Sequence, residues 1–185
     1  MSFRRTLLRR VGTLGRSVAE VTNGNRLWHY TAYDRLGSIL VDDHIRTASL
    51  YTEPGERKAA WVSTNPKWEE TANKALRGRD GKQTEPLSKD ELFRAGIIPM
   101  RIEINPKAVR FFDWDGFVKK SGISEHHAEG LEASGRRMGG NPSEWYASFA
   151  PIRVAAFLEI EIWNGKKWLS TRSHEAQTFL YSLAA

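Results

Sequence analysis

The chain has 185 residues, carries 28 Lys+Arg against 22 Asp+Glu for a formal net charge of +6, and contains no cysteine. Its length fits one domain with room for a sizeable core, and 40% hydrophobic with 27% charged residues excludes wholesale disorder. The missing cysteines exclude disulfide scaffolds, thiolate zinc sites and cysteine nucleophiles, and no apolar run reaches the ~18 residues of a membrane-spanning helix.

The charge is unevenly placed. Over residues 1–26, Arg4, Arg5, Arg9, Arg10, Arg16 and Arg26 stand against Glu20 alone, so the body is close to neutral and offers no broad groove for a nucleic-acid backbone. Phe3, Leu7, Val11, Leu14, Val18 and Val21 recur every three or four residues, which predicts an amphipathic helix with the arginines on its other faces. Gly12 and Gly15 each weaken that helix by about 1 kcal/mol, so it needs a supporting surface. Four readings stay open for this arm: it docks on its own core, binds nucleic acid or a partner protein, lies on a membrane surface, or is a transit peptide. Arginines interrupt the apolar run that a secretory signal requires, and the expected compartment is the cytoplasm, the host's if the chain is phage-encoded. The division is therefore an arm over 1–25 and a single domain over 26–185.

Past the arm, strands and helices interleave. Alternation predicts a strand over Arg26–Thr31, then a short helix over Tyr33–Val41 with Leu36, Ile39 and Leu40 facing inward. A second strand is expected over His44–Leu50, a Pro-Gly turn within Thr52–Lys58, and a buried strand over Ala59–Thr64. Asn65-Pro66 reads as a helix start, with Asn65 as cap, Pro66 at the first position and Glu69 and Glu70 in the first turn, and predicts a helix to about Leu76. Arg77–Pro86 reads as a mobile surface loop, and Ser88 to Glu91 is a capping box opening a brief helix that stops at Gly96. Ile98, Met100, Ile102 and Ile104 alternate with Arg101 and Glu103 as a strand. A helix over Ser124–Met138, a turn at Gly139–Pro142, strands over Ser143–Phe149 and Val154–Trp163, and a closing helix over Ser173–Leu183 complete the series. Without regular βαβ spacing, the pattern predicts an α+β fold.

Few groups carry chemistry. His29 sits in the first strand on the face opposite Trp28 and Tyr30. Ser63 and Thr64 end a strand beside a cap, where hydroxyls either hold a ligand or serve the backbone. Glu144, between a turn and a strand and flanked by aromatics, is either an exposed loop acid or a partly desolvated carboxylate able to stabilise a cation. His126 and His127 with Glu125 and Glu129 converge poorly, since adjacent helix positions point about 100° apart, so no metal site is expected. No phosphate loop, dinucleotide fingerprint, HExxH or nucleophile elbow is present. The seven tryptophans are expected mostly in the core.

Two stretches carry a resemblance. Leu27-Trp28-His29-Tyr30-Thr31 followed by Leu36-Gly37-Ser38-Ile39-Leu40 resembles the opening of ADP-ribosyltransferase-like proteins, a strand ending His-x-Thr before a short helix with an Ile-Leu pair. Ala60-Trp61-Val62-Ser63-Thr64 is similar to the family's second element, a strand delivering a hydroxyl or aromatic, and Glu144 stands where its third element has a catalytic acid. The chain also resembles uncharacterised bacterial and phage proteins that share the Trp-Val-Ser-Thr-Asn-Pro and Glu-Trp-Tyr-Ala-Ser-Phe stretches.

The resemblance implies a split β-sheet core with flanking helices and NAD as co-substrate, without a metal. His29, within the His29-Tyr30-Thr31 motif, would bond the nicotinamide-side ribose, and the Tyr30 backbone would hold the carboxamide. Ser63 or Thr64 would orient Glu144, whose carboxylate offsets charge forming at the anomeric carbon, while Tyr30 or Trp68 would stack on nicotinamide. The Glu-x-Glu of protein-modifying members is absent, because Pro142 lies two residues before Glu144, which leaves a nucleic acid or a small molecule as acceptor. Implied roles are a toxin, a phage effector or a modification enzyme. The alternatives are a non-catalytic binding or phage accessory protein acting through the basic helix, and an RNA-processing enzyme, ribonuclease or 2′-phosphotransferase, using His29 with arginines.

Overall fold

The central strands are buried along nearly their whole length. In the computed structural model, which describes residues 25–48, 52–77 and 81–184, the elements in chain order are β1 (Leu27–Ala32), α1 (Leu36–Asp42), β2 (His44–Ile45), β3 (Ala60–Ser63), α2 (Lys89–Arg94), β4 (Pro99–Ile104), β5 (Phe112–Asp113) and α3 (Trp114–Ser121). There follow α4 (Glu125–Arg137), β6 (Trp145–Ser148), β7 (Ile152–Arg153), β8 (Phe157–Trp163), β9 (Trp168–Ser170) and α5 (His174–Ala184). Residues 1–24 of the expected basic helix, the Leu50 end of the expected second strand and 78–80 of the expected loop lie outside the described residues.

Seven strands form one sheet in the order β5-β6-β3-β1-β4-β8-β9, and β2 with β7 makes a separate ribbon. Every pairing among the described residues is antiparallel, so the fold is α+β as the irregular spacing predicts. Strand β1 lies at the sheet's centre with both faces covered, which explains its nearly continuous burial. Leu27 points into a core of Val62, Met100, Ile102, Ile104, Tyr146, Ile152 and Ile162, while Trp28 and Tyr30 point the other way, toward Trp68 and Leu92. Helix α2 forms on the expected capping box, with Ser88 and Glu91 satisfying each other's backbone amides. Helix α4 is capped by Ser124 accepting from the His127 amide. No helix among the described residues is long and apolar enough to cross a membrane.

Tertiary contacts override several local signals. The helix expected over Asn65–Leu76 does not form; only Glu70–Ala72 makes a 3-10 turn. Asn65 does accept from the amides of Lys67 and Trp68, at 3.0 and 3.4 Å, but Trp68 is drawn into the Tyr30–Leu92 cluster and Glu69 is buried beneath β3, so the chain turns away instead of coiling. Leu40 is 50% exposed rather than inward, because α1 ends after seven residues at left-handed Asp43 and buries Ile39 alone. The strand expected from Val154 begins at Phe157, after a 3-10 turn over Val154–Ala156. The segment read as a loop is pinned by two isolated bridges, Lys74↔Leu87 and Arg77↔Gln83. Strand β9 and helix α3 were not expected. Asn164-Gly165, with Gly165 at φ 91°, is the hairpin signal for β9, and Asp113, accepting from the Gly116 amide, is the cap signal for α3.

Candidate functional site

The three segments that carry the candidate groups fold into adjacent strands, β1 beside β3 beside β6. Trp28 pairs with Ser63, and Ser63 with Trp145, so three distant stretches are in register at one end of the sheet. One step further the Thr64 amide donates to the Glu144 carbonyl at 2.9 Å, extending the ladder past the ends of β3 and β6. Side chains alternate along strands, so Trp28, Ser63 and Trp145 belong to one face and His29 to the other, the face of Leu27, Val62 and Tyr146; Thr64 and Glu144 lie just past the ends of β3 and β6. His29 and Glu144 flank β3 but are offset along it: His29 stands level with Val62 and Tyr146, Glu144 level with Thr64 and Leu27, so their backbones are about 12 Å apart.

Glu144 and Thr64 open onto a cleft of about 560 Å³ at the strand ends, whose walls also include Arg26, Trp28, Pro66, Arg101 and Ser143. His29 is not among the residues lining that cleft; it sits on β1 beside it. Strands β1 and β4 pair through six consecutive positions, whereas β1 and β3 register at Trp28↔Ser63 alone. Just beyond that pair the His29 ring bridges the two strands, with Nδ1 2.9 Å from the Trp61 carbonyl oxygen. A carbonyl only accepts, so Nδ1 carries the proton and Nε2 is left as an acceptor. Removal of the ring from water lowers the His29 pKa, the bond to Trp61 opposes this, and the charge of Lys74 lowers it further. Burial and Lys74 both favour the neutral imidazole.

Other expected participants are committed elsewhere. Ser63, 2% exposed, donates to Glu69 Oε2 at 2.7 Å and accepts from the Asn65 amide at 3.1 Å, so it does not orient Glu144; Thr64 is the hydroxyl beside that residue. Trp68 is buried, donates its indole N–H to Asn73 at 2.8 Å and packs edge-on against Tyr30, which leaves no face for nicotinamide. The Tyr30 phenol donates to the Asn65 carbonyl, and burial raises its pKa, so its ring is fixed on the face opposite His29. Thr31 is buried on the His29 face, opposite Met100.

The sequence reading missed a cation–aromatic stack on the cleft wall. Arg101, which alternates with the isoleucines of β4, is 8% exposed, with its guanidinium 4.0 Å from the Trp28 ring and 4.5 Å from Trp168. Its Nε donates to Glu161 at 2.6 Å and Nη1 to the Pro66 carbonyl, while the Arg26 guanidinium lies 4.4 Å from the Trp28 ring and pairs with Glu103. The charge alternation of Arg101-Ile102-Glu103 gives no hint of this, because it depends on which strands flank β4. The metal expectation concerned His126 and His127 with Glu125 and Glu129. Instead His127 meets Glu56 at 2.6 Å and Glu53 at 4.0 Å, carboxylates from the Pro54-Gly55 turn, and among the described residues these three are the group with donors near enough to share an ion. As it stands, the His127–Glu56 contact is a side-chain hydrogen bond.

Comparison with known proteins leaves the site to its own geometry: no family model matches the chain, and no curated protein or solved structure matches it significantly.

Proposed function

We propose that the chain is an NAD-dependent ADP-ribosyltransferase-like enzyme, built on the split sheet core of that class, with His29, Thr64 and Glu144 as its reactive group. One observation carries the reading: β1, β3 and β6, far apart in sequence, lie side by side in register, with His29 where β1 and β3 cease to pair and Glu144 at the mouth of a cleft.

In this reading His29 Nε2 accepts from a ribose hydroxyl, and its neutral Nδ1–H tautomer is held by the Trp61 carbonyl. Glu144, ionised, lies against the ribose as the bond to nicotinamide breaks and that bond's electron pair leaves with the ring. The fixed carboxylate then stabilises the positive charge left on the sugar. Water or an acceptor nucleophile, on a nucleic acid or a small molecule, completes the transfer. The RNA-processing alternative draws less support, because Arg26 and Arg101, the cations at the cleft, are already paired with Glu103 and Glu161. The test is nicotinamide release from NAD by the wild type and by Glu144→Gln. The reading expects a loss of roughly 10²–10³-fold in the variant with an unchanged thermal midpoint. Equal release from both proteins, or none from the wild type, contradicts it.

A further inference from the structure

The residue behind Glu144 is Trp145, and what holds Trp145 is unusual for a residue beside a reactive acid. Its indole N–H donates at 3.1 Å to Glu69 Oε1, a carboxylate only 7% exposed. The same oxygen accepts from the Thr71 hydroxyl at 2.9 Å and amide at 3.3 Å, and the other accepts from Ser63 at 2.7 Å. All the donors named are neutral, and two come from the strands that deliver Thr64 and Glu144: Ser63 precedes Thr64, and Trp145 follows Glu144. A buried carboxylate that ties β3 to β6 one residue from the site fixes the separation of Thr64 and Glu144 more tightly than one backbone bond does.

The other side of the indole ring is closed by backbone. A methyl added at Gly135 would collide with the Trp145 ring. One at Gly140 would lie 2.9 Å from the ring and 3.1 Å from Glu69 Oε1. The ring therefore has one position available, set by two side-chain-free residues and one carboxylate. The helix-start reading of Glu69 concealed this role, because it treated the acid as a charge at a helix terminus.

We infer that Glu69 is a positioning residue for Glu144, acting through Trp145 and Ser63 and touching no substrate. The inference rests on the ADP-ribosyl-transfer reading and deepens it. Its test compares nicotinamide release by wild type, Glu69→Gln and the milder Ser63→Ala, each assayed well below its own thermal midpoint. An amide nitrogen cannot accept, so Glu69→Gln breaks the link on one side while keeping shape and volume. The expected result is a kcat lowered tenfold or more in Glu69→Gln and a few-fold in Ser63→Ala, with KM for NAD within twofold of wild type. A lowered midpoint with kcat unchanged in both variants overturns the inference and leaves Glu69 as a structural acid. A wild type that releases no nicotinamide instead removes the functional reading itself, an outcome visible before any variant is compared.

Discussion

The two faces of the sheet at the β1–β3–β6 end differ in what fills them: aromatic rings around a buried carboxylate on one, aliphatic side chains on the other. On one face Trp28, Tyr30, Ser63 and Trp145 are buried; Ser63 and Trp145 bond Glu69, Tyr30 bonds the Asn65 carbonyl, and Trp28 is sandwiched by arginines. On the other, Leu27, Val62 and Tyr146 are buried in the main core and half-buried His29 keeps a ring nitrogen as an acceptor, while Thr64 and Glu144 line the cleft past the strand ends. The same three strands thus supply an aromatic face braced by a buried carboxylate and an aliphatic face that carries one imidazole. Under the proposed transfer reaction, the carboxylate that stabilises forming charge must be held still by groups that do not react.

The packed face breaks most visibly. Trp28→Ala removes a ring that is 1% exposed and unseats both arginines, and should cost about 3–5 kcal/mol in a denaturant titration. A smaller loss, about 1–3 kcal/mol, is expected for Gly135→Ala, where a methyl meets the Trp145 ring; an unchanged midpoint would mean the cradle is loose. The His29 face is sharpened by pH. A histidine whose pKa is depressed in the fold binds its proton more readily when unfolded, so stability present above about pH 6.5 is lost as pH falls through that value toward the folded pKa. His29→Gln should flatten this part of the stability–pH curve, and identical curves for the two proteins would show that His29 is not withdrawn from water.

Legibility in the sequence follows the range of the forces involved. β1, β4, α2, α4 and α5 are written in local patterns, alternation or caps, and form as expected. The order in which strands meet is not local: that β3 lies between β1 and β6 is settled by which apolar faces bury together, although the resemblance had already grouped His29 with Glu144. Asn65-Pro66 shows the limit most sharply. Its capping carboxamide works as expected, yet the helix is lost because Glu69 gains four donors in the interior and Trp68 gains an aromatic cluster. Ser63 and Thr64 were interchangeable by sequence; register separates them, sending one hydroxyl to Glu69 and the other to the cleft wall. Arg101 and Trp28 escaped notice as site neighbours because their meeting depends on β4 pairing with β1.

The most direct test of a joint His29–Glu144 site is a calorimetric titration of NAD into the full chain and into His29→Ala. The account predicts saturable binding at one site per chain, weakened at least tenfold in the variant. A wild type that gives no heat of binding, or a variant that binds NAD as tightly as the wild type, contradicts it.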